Sequence, residues 1–125
     1  MAKILLVDDD VDLAEGYQTV FAARGHEVRC AYSAGEARDV VKHFTPDAAV
    51  MDVMMETNTA GFELARELDA QFPELPMLLV TGIHEATDVP FRFEPEPSWL
   101  PVAKVIDKPV APAELVDEVE GMLPQ

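Results

Sequence analysis

"KILLVDDD", residues 3–10, runs from four consecutive apolar residues straight into three aspartates. Ile4, Leu5, Leu6 and Val7 show no polar alternation, which is the pattern of a strand covered on both faces. The run is also too short to be a helix. At its carboxyl end stand Asp8, Asp9 and Asp10. At about 5 Å and an effective dielectric near 20, two carboxylates repel by about 3 kcal/mol. A solvated turn or a helix cap needs one acid. Two or three adjacent ones ask for a cation.

Four more short apolar runs share the signature of the first: "VRCAY" (28–32), "AAVMDV" (48–53), "PMLLVTG" (76–82) and "KVID" (104–107). Helical spacing fills most of the intervals. Leu13, Ala14, Tyr17, Val20, Phe21 and Arg24 recur every three or four residues, and Gly25 is a fitting stop. Ser33 stands three before Glu36, a capping box that opens a helix with Ala37, Val40, Val41 and Phe44 inward. A third helix is predicted over 60–71, with Phe62, Ala65, Leu68 and Phe72 on one face and Pro73 ending it. A last one starts near Pro112 and buries Leu115, Val116, Val119, Met122 and Leu123. Strand–helix alternation of this kind predicts a three-layer, doubly wound α/β domain: five parallel strands with helices on both faces. Between the fourth and fifth strands, Pro90, Pro95, Pro97 and Pro101 remove donors and break helical continuation. A shortened helix or a Pro-rich loop is expected there.

The chain of 125 residues reads as a single domain, 1–125, with no second domain. Its formal net charge of −15 argues against direct binding of nucleic acid or of an anionic membrane, both of which need basic surface. No apolar run approaches a membrane span. The single cysteine, Cys30, makes no internal disulfide and reads as a small core residue, so a reducing, cytoplasmic setting is expected. His26, His43 and His84 match no metal-ligand spacing and read as surface or loop residues.

In doubly wound sheets the ligand site lies beyond the carboxyl ends of the strands. Those ends carry Asp8 and Asp9, Asp52, Thr81 with Gly82, and Lys108 with Pro109. Clustered carboxylates suit a hard cation such as Mg²⁺ or Mn²⁺. A carboxylate beside such an ion can serve as a nucleophile toward phosphorus. An ammonium and a hydroxyl can hold the phosphoryl oxygens, which is the positioning that phosphoryl transfer requires. Asp10 lies outside this set and reads as the cap of the first helix.

"KILLVDDD", "AVMDVMM", "LLVTG" and "VIDKPV", in this order, resemble the receiver domain of bacterial two-component response regulators along essentially the whole chain. The resemblance implies a flavodoxin-like fold with strand order 2-1-3-4-5. It also implies a phosphoryl group accepted by Asp52 from a histidine kinase or phosphotransfer protein, and an altered affinity for a downstream protein once phosphorylated. By the same resemblance Asp8, Asp9, Asp52 and the backbone carbonyl of Met54 would hold Mg²⁺, with Asp8 acting through water. Thr81 and Lys108 would bind the phosphoryl oxygens, Gly82 would leave them room, and the domain would be a monomer or weak dimer without an output domain. Two other readings compete. A receiver-like module that binds partners without phosphorylation keeps the fold and abandons the chemistry. A haloacid-dehalogenase-like phosphatase finds an Asp-x-Asp pair in Asp8 and Asp10, but leaves Asp52 unexplained.

The sequence departs from the family at four places. Glu56 replaces a customary proline, and Gly61 falls nine residues after Asp52, one further than usual. Val105 stands where an aromatic often swings inward, the Pro-rich segment stands where a helix usually signals, and Met54 and Ile83 are apolar where hydrolysis of the acyl phosphate is tuned.

Overall fold

The computed structural model describes residues 2–52, 60–81, 104–107 and 110–123. Five strands, β1 (Lys3–Val7), β2 (Glu27–Ala31), β3 (Ala48–Asp52), β4 (Met77–Thr81) and β5 (Lys104–Asp107), form one parallel sheet in the order β2-β1-β3-β4-β5. Four helices are described: α1 (Val11–Ala23), α2 (Ala34–Val40), α3 (Ala60–Gln71) and α4 (Pro112–Met122). The expected fold class is therefore present, with strand boundaries within about one residue of the apolar runs. The segment expected to replace a helix between β4 and β5, residues 82–103, lies outside the described residues.

Two cores explain why the inner strands carry unbroken apolar runs. Successive side chains on a strand point to opposite faces. Leu5, Val7, Ala49, Met51, Met77 and Leu79 pack against Ala34 and Ala37 of α2 and Leu64, Ala65 and Leu68 of α3. Ile4, Leu6, Ala48, Val50, Leu78 and Val80 pack against Ala14, Tyr17 and Phe21 of α1 and Leu115, Val116 and Val119 of α4. The inner strands β1 and β3 are thus covered on both faces from Ile4 to Val7 and from Ala48 to Asp52, whereas the edge strand β2 keeps an alternation, with Glu27 and Arg29 exposed. Val105 packs at the margin of the first core.

The ends of α1 are fixed by the residues the sequence offered for the purpose. The Asp10 carboxylate accepts from the Leu13 backbone N–H at 3.1 Å. At the other end Gly25, at φ +89°, lets its N–H donate to the Ala22 carbonyl (3.0 Å) and the next N–H, of His26, to that of Phe21 (3.2 Å). This is a Schellman closure, which needs the left-handed backbone that glycine tolerates. Arg24 does not face the core as its spacing suggested. It is the residue that follows α1, and its guanidinium reaches Asp117 at 2.6 Å and Glu120 at 3.0 Å on α4.

Helix α2 is shorter than expected. It closes with Val41 as cap, and the N–H groups of Lys42 and His43 donate to carbonyls three residues back. Phe44 is buried from the turn that follows, not from the helix. With Pro46 close behind and β3 beginning at Ala48, no length remains for another helical turn.

His26 lies in the loop between α1 and β2, one of the two places expected for it, but it is not an idle residue there. Its side chain is only 7% exposed; Nδ1 accepts from the Ala2 N–H at 3.1 Å and Nε2 pairs with Glu120 Oε2 at 2.8 Å. The His26 hydrogen bond, reinforced by Arg24 and opposed by partial burial, holds the Glu120 carboxyl below its ordinary value. Cys30 is half-buried on the edge strand β2, near Gln18 Oε1, and burial pushes its thiol up.

Candidate functional site

The register of the sheet brings two acids to adjacent strand ends. Val7 of β1 pairs with Met51 of β3, so the next residues along the two parallel strands are Asp8 and Asp52. Neighbouring strands run about 4.8 Å apart, which sets the scale of their separation. Both side chains are inside the fold, Asp8 at 4% and Asp52 at 6% exposure, the two buried polar side chains among the described residues. Asp9, one residue further and past the sheet edge, is exposed. One carboxylate oxygen from each of Asp8, Asp9 and Asp52 lies within 4.8 Å of the others. Among the described residues, no other group of three or more His, Cys, Asp and Glu side chains converges in this way.

The donor set fits a hard cation. Mg²⁺ holds oxygens at about 2.1 Å, so two ligands on one ion stand at most about 4.2 Å apart. Three oxygens on one octahedral ion include at least two cis pairs, about 3.0 Å apart, so oxygens within 4.8 Å of one another reach a shared ion through side-chain turns of about an ångström, or with one carboxylate acting through water. Three anions with two of them buried are a poor arrangement without a counter-charge, because the repulsion acts at reduced dielectric. The chemistry of the set therefore supports a divalent ion.

Two local features shape the cluster. The Asp8 N–H donates to the Ala31 carbonyl at 3.1 Å, extending the β1–β2 ladder one residue into the site. One oxygen of Asp8, Oδ1, accepts from the Asp10 backbone N–H at 2.9 Å. Asp10 is thus the cap the sequence suggested and also a partner of the buried acid, a contact that spacing alone does not reveal.

The remaining predicted residues are placed unevenly. Thr81 ends β4, one residue beyond Val80, the register partner of Asp52, so its backbone sits on the same rim. It pairs with Asp107 at the end of β5, and Lys108 is the next residue in sequence. Lys108, Gly82 and Met54 lie outside the described residues.

A doubly wound 2-1-3-4-5 sheet with three carboxylates gathered on its carboxyl rim defines a flavodoxin-like α/β domain with a cation-ready site. The response regulator receiver domain model matches residues 4–120, and the chain belongs to that family of phosphoacceptor signalling modules. Among curated relatives, the response regulator MprA of Mycobacterium avium (strain 104) is 37% identical over 80 residues, covering 64% of this chain. The chain spans only 35% of the length of that relative. Solved structures agree on the fold. The receiver domain of NtrX from Brucella abortus is 26% identical with a TM-score of 0.78, covering 96% of this chain and 97% of its own. A CheY-like receiver domain protein from Methanospirillum hungatei JF-1 is 24% identical with a TM-score of 0.79, covering 97% and 92%. TrrA from Thermotoga maritima, solved in complex with Mg²⁺ and BeF, is 23% identical with a TM-score of 0.77, covering 98% and 100%. Among the described residues no helix is long and apolar enough to cross a membrane.

Proposed function

We propose that Asp52 is the phosphoacceptor of this receiver domain and that its phosphorylation depends on Mg²⁺ or Mn²⁺ held by Asp8, Asp9 and Asp52. The observation that carries the proposal is the convergence of these three carboxylates on one rim, with Asp52 buried at the end of the central strand β3. A histidine kinase or phosphotransfer protein is the donor. One Asp52 carboxylate oxygen attacks phosphorus, the O–P bond forms as the N–P bond of the phosphohistidine breaks, and the bond's electron pair leaves with the imidazole. The bound cation supplies charge neutralisation for the transferring group.

The chain's own residues do the rest. Asp8 and Asp9 complete the cation's oxygen set, with Asp8 acting through water and the Met54 carbonyl as a further ligand. Thr81 and Lys108 hold the phosphoryl oxygens, and Gly82 leaves them room, so the charge spread over the transferring group meets fixed donors. The BeF complex of TrrA, a protein of the same fold, is consistent with a rim that accepts a phosphoryl-like group beside Mg²⁺. The domain acts in the cytoplasm as a monomer or weak dimer and passes its state to a downstream protein.

Incubation with a small-molecule phosphodonor and Mg²⁺, read by intact mass, tests the proposal. Wild type is expected to gain one phosphoryl group and Asp52→Asn none. Equal masses for both proteins would reject phosphoacceptance at Asp52 and favour a module that binds partners without phosphorylation.

A further inference from the structure

We propose that Asp10 is a positioning residue for the acidic site, acting through the backbone that joins β1 to α1. The inference rests on the reading of Asp8, Asp9 and Asp52 as a divalent-cation site. Three observations carry it. Oδ1 of the buried Asp8 is held by the Asp10 N–H at 2.9 Å. That N–H belongs to a residue fixed by two further contacts, its side chain accepting from Leu13 N–H at 3.1 Å and its carbonyl from Ala14 N–H at 2.9 Å. On the other side, the Asp8 N–H is fixed to the Ala31 carbonyl at 3.1 Å.

The connection between strand and helix is therefore clamped at both ends, with Asp9 between the clamps. A carboxylate in a rotor as short as aspartate's turns freely about its last torsion unless something holds an oxygen. Here one holder of Oδ1 is a main-chain N–H, whose direction follows the extended backbone of Asp10, φ −83° and ψ 99°. The cap sets that conformation, because a residue whose side chain caps a helix is held in the extended region. Losing the cap frees the Asp10 peptide, and with it the orientation of Asp8 and the path of the chain through Asp9. One exposed residue, not itself in the carboxylate cluster, thus governs how two of its three members are presented.

The experiment separates positioning from charge. Asp10→Asn and Asp10→Ser remove the charge and keep a capping side chain; Asp10→Ala removes both. Mg²⁺ affinity is measured by calorimetry at 25 °C, with the melting temperature in EDTA recorded for each protein. The expected result is that Asn and Ser bind Mg²⁺ within about two-fold of each other, and that Ala binds about five-fold more weakly than either. Five-fold is the factor corresponding to a cap of ordinary strength. Affinity read far below the melting transition is not moved by a loss of helix stability alone, so a merely structural role predicts equal affinities for all three. Equal affinities overturn the inference. Wild type failing to bind Mg²⁺ overturns it at its foundation, together with the cation site itself.

Discussion

Replacing Asp52 with Asn should stabilise the cation-free protein. Asp8, Asp9 and Asp52 bring carboxylate oxygens to within 4.8 Å of one another. Asp8 and Asp52 are both buried, and at that distance an effective dielectric near 20 gives a repulsion of about 3.5 kcal/mol. Asp9 is exposed, and water reduces its repulsion of Asp52 to about 1 kcal/mol. Their sum is a ceiling, because the side chains turn apart and the unfolded chain keeps part of the effect. About half of it, roughly 2 kcal/mol, is the expected net gain, equivalent to a melting temperature raised by roughly 6–10 °C in a chain of this size. Calorimetry in EDTA at pH 7 and low salt reads it directly. Saturating Mg²⁺ should invert the order, since a ligand at a hundred times its dissociation constant adds about 2.7 kcal/mol to the protein that binds it. One molar salt should shrink the EDTA difference, more for the Asp9 contribution than for the buried pair. If Asp52→Asn melts at or below wild type in EDTA, the three acids are not in mutual conflict and the argument from repulsion to cation fails.

Three other perturbations probe the scaffold. Phe21→Ala empties a fully buried ring from the core beneath α1 and α4 and should cost about 3–5 kcal/mol, read as a lower urea midpoint with an unchanged slope. Gly25→Ala puts a side chain at φ +89° and should cost about 1 kcal/mol or more although nothing lies within 4 Å of the added carbon, so a neutral result would contradict backbone strain. Glu120, whose carboxyl is held low by His26 and Arg24, contributes stability that is complete above its unfolded value of 4.5 and fades as pH falls through its lower folded value. Wild type should therefore exceed Glu120→Gln in stability at pH 6, with the gap narrowing only as pH falls below 4.5; a gap independent of pH would exclude the ionised carboxylate as its source.

Most of the fold was legible because the inner strands are buried on both faces. Leu5 and Val7 serve one core, Ile4 and Leu6 the other, and their shared apolar character appears in the sequence without structural knowledge. The caps were legible for a similar reason: Asp10, Ser33 and Gly25 act on backbone groups within a few residues of themselves. Arg24 was misread, and the ion-pair role of the loop residue His26 was missed, because their partners, Asp117 and Glu120, lie more than ninety residues away on α4. Nothing local distinguishes an arginine in a helical stripe from one that crosses to another helix. The extent of α2 was misread because apolar spacing continues to Phe44 after the helical hydrogen bonding has stopped, and a buried residue in a turn counts the same in a periodicity as one in a helix.

The acidic site shows the same division between local and distant causes. That Asp8 and Asp9 end a strand is written in the seven residues around them, but that Asp52 joins them depends on the register of β1 against β3. A shift of one residue in that register would turn Asp52 toward a different neighbour, since side-chain direction alternates along a strand. The apolar runs enforce the register, because the same shift would move Val50 and Met51 into each other's cores. The packing that makes the sheet stable is thus also what holds three like charges together. The scaffold supplies the energy for that conflict, and the cation, when it binds, returns a part of it as stability.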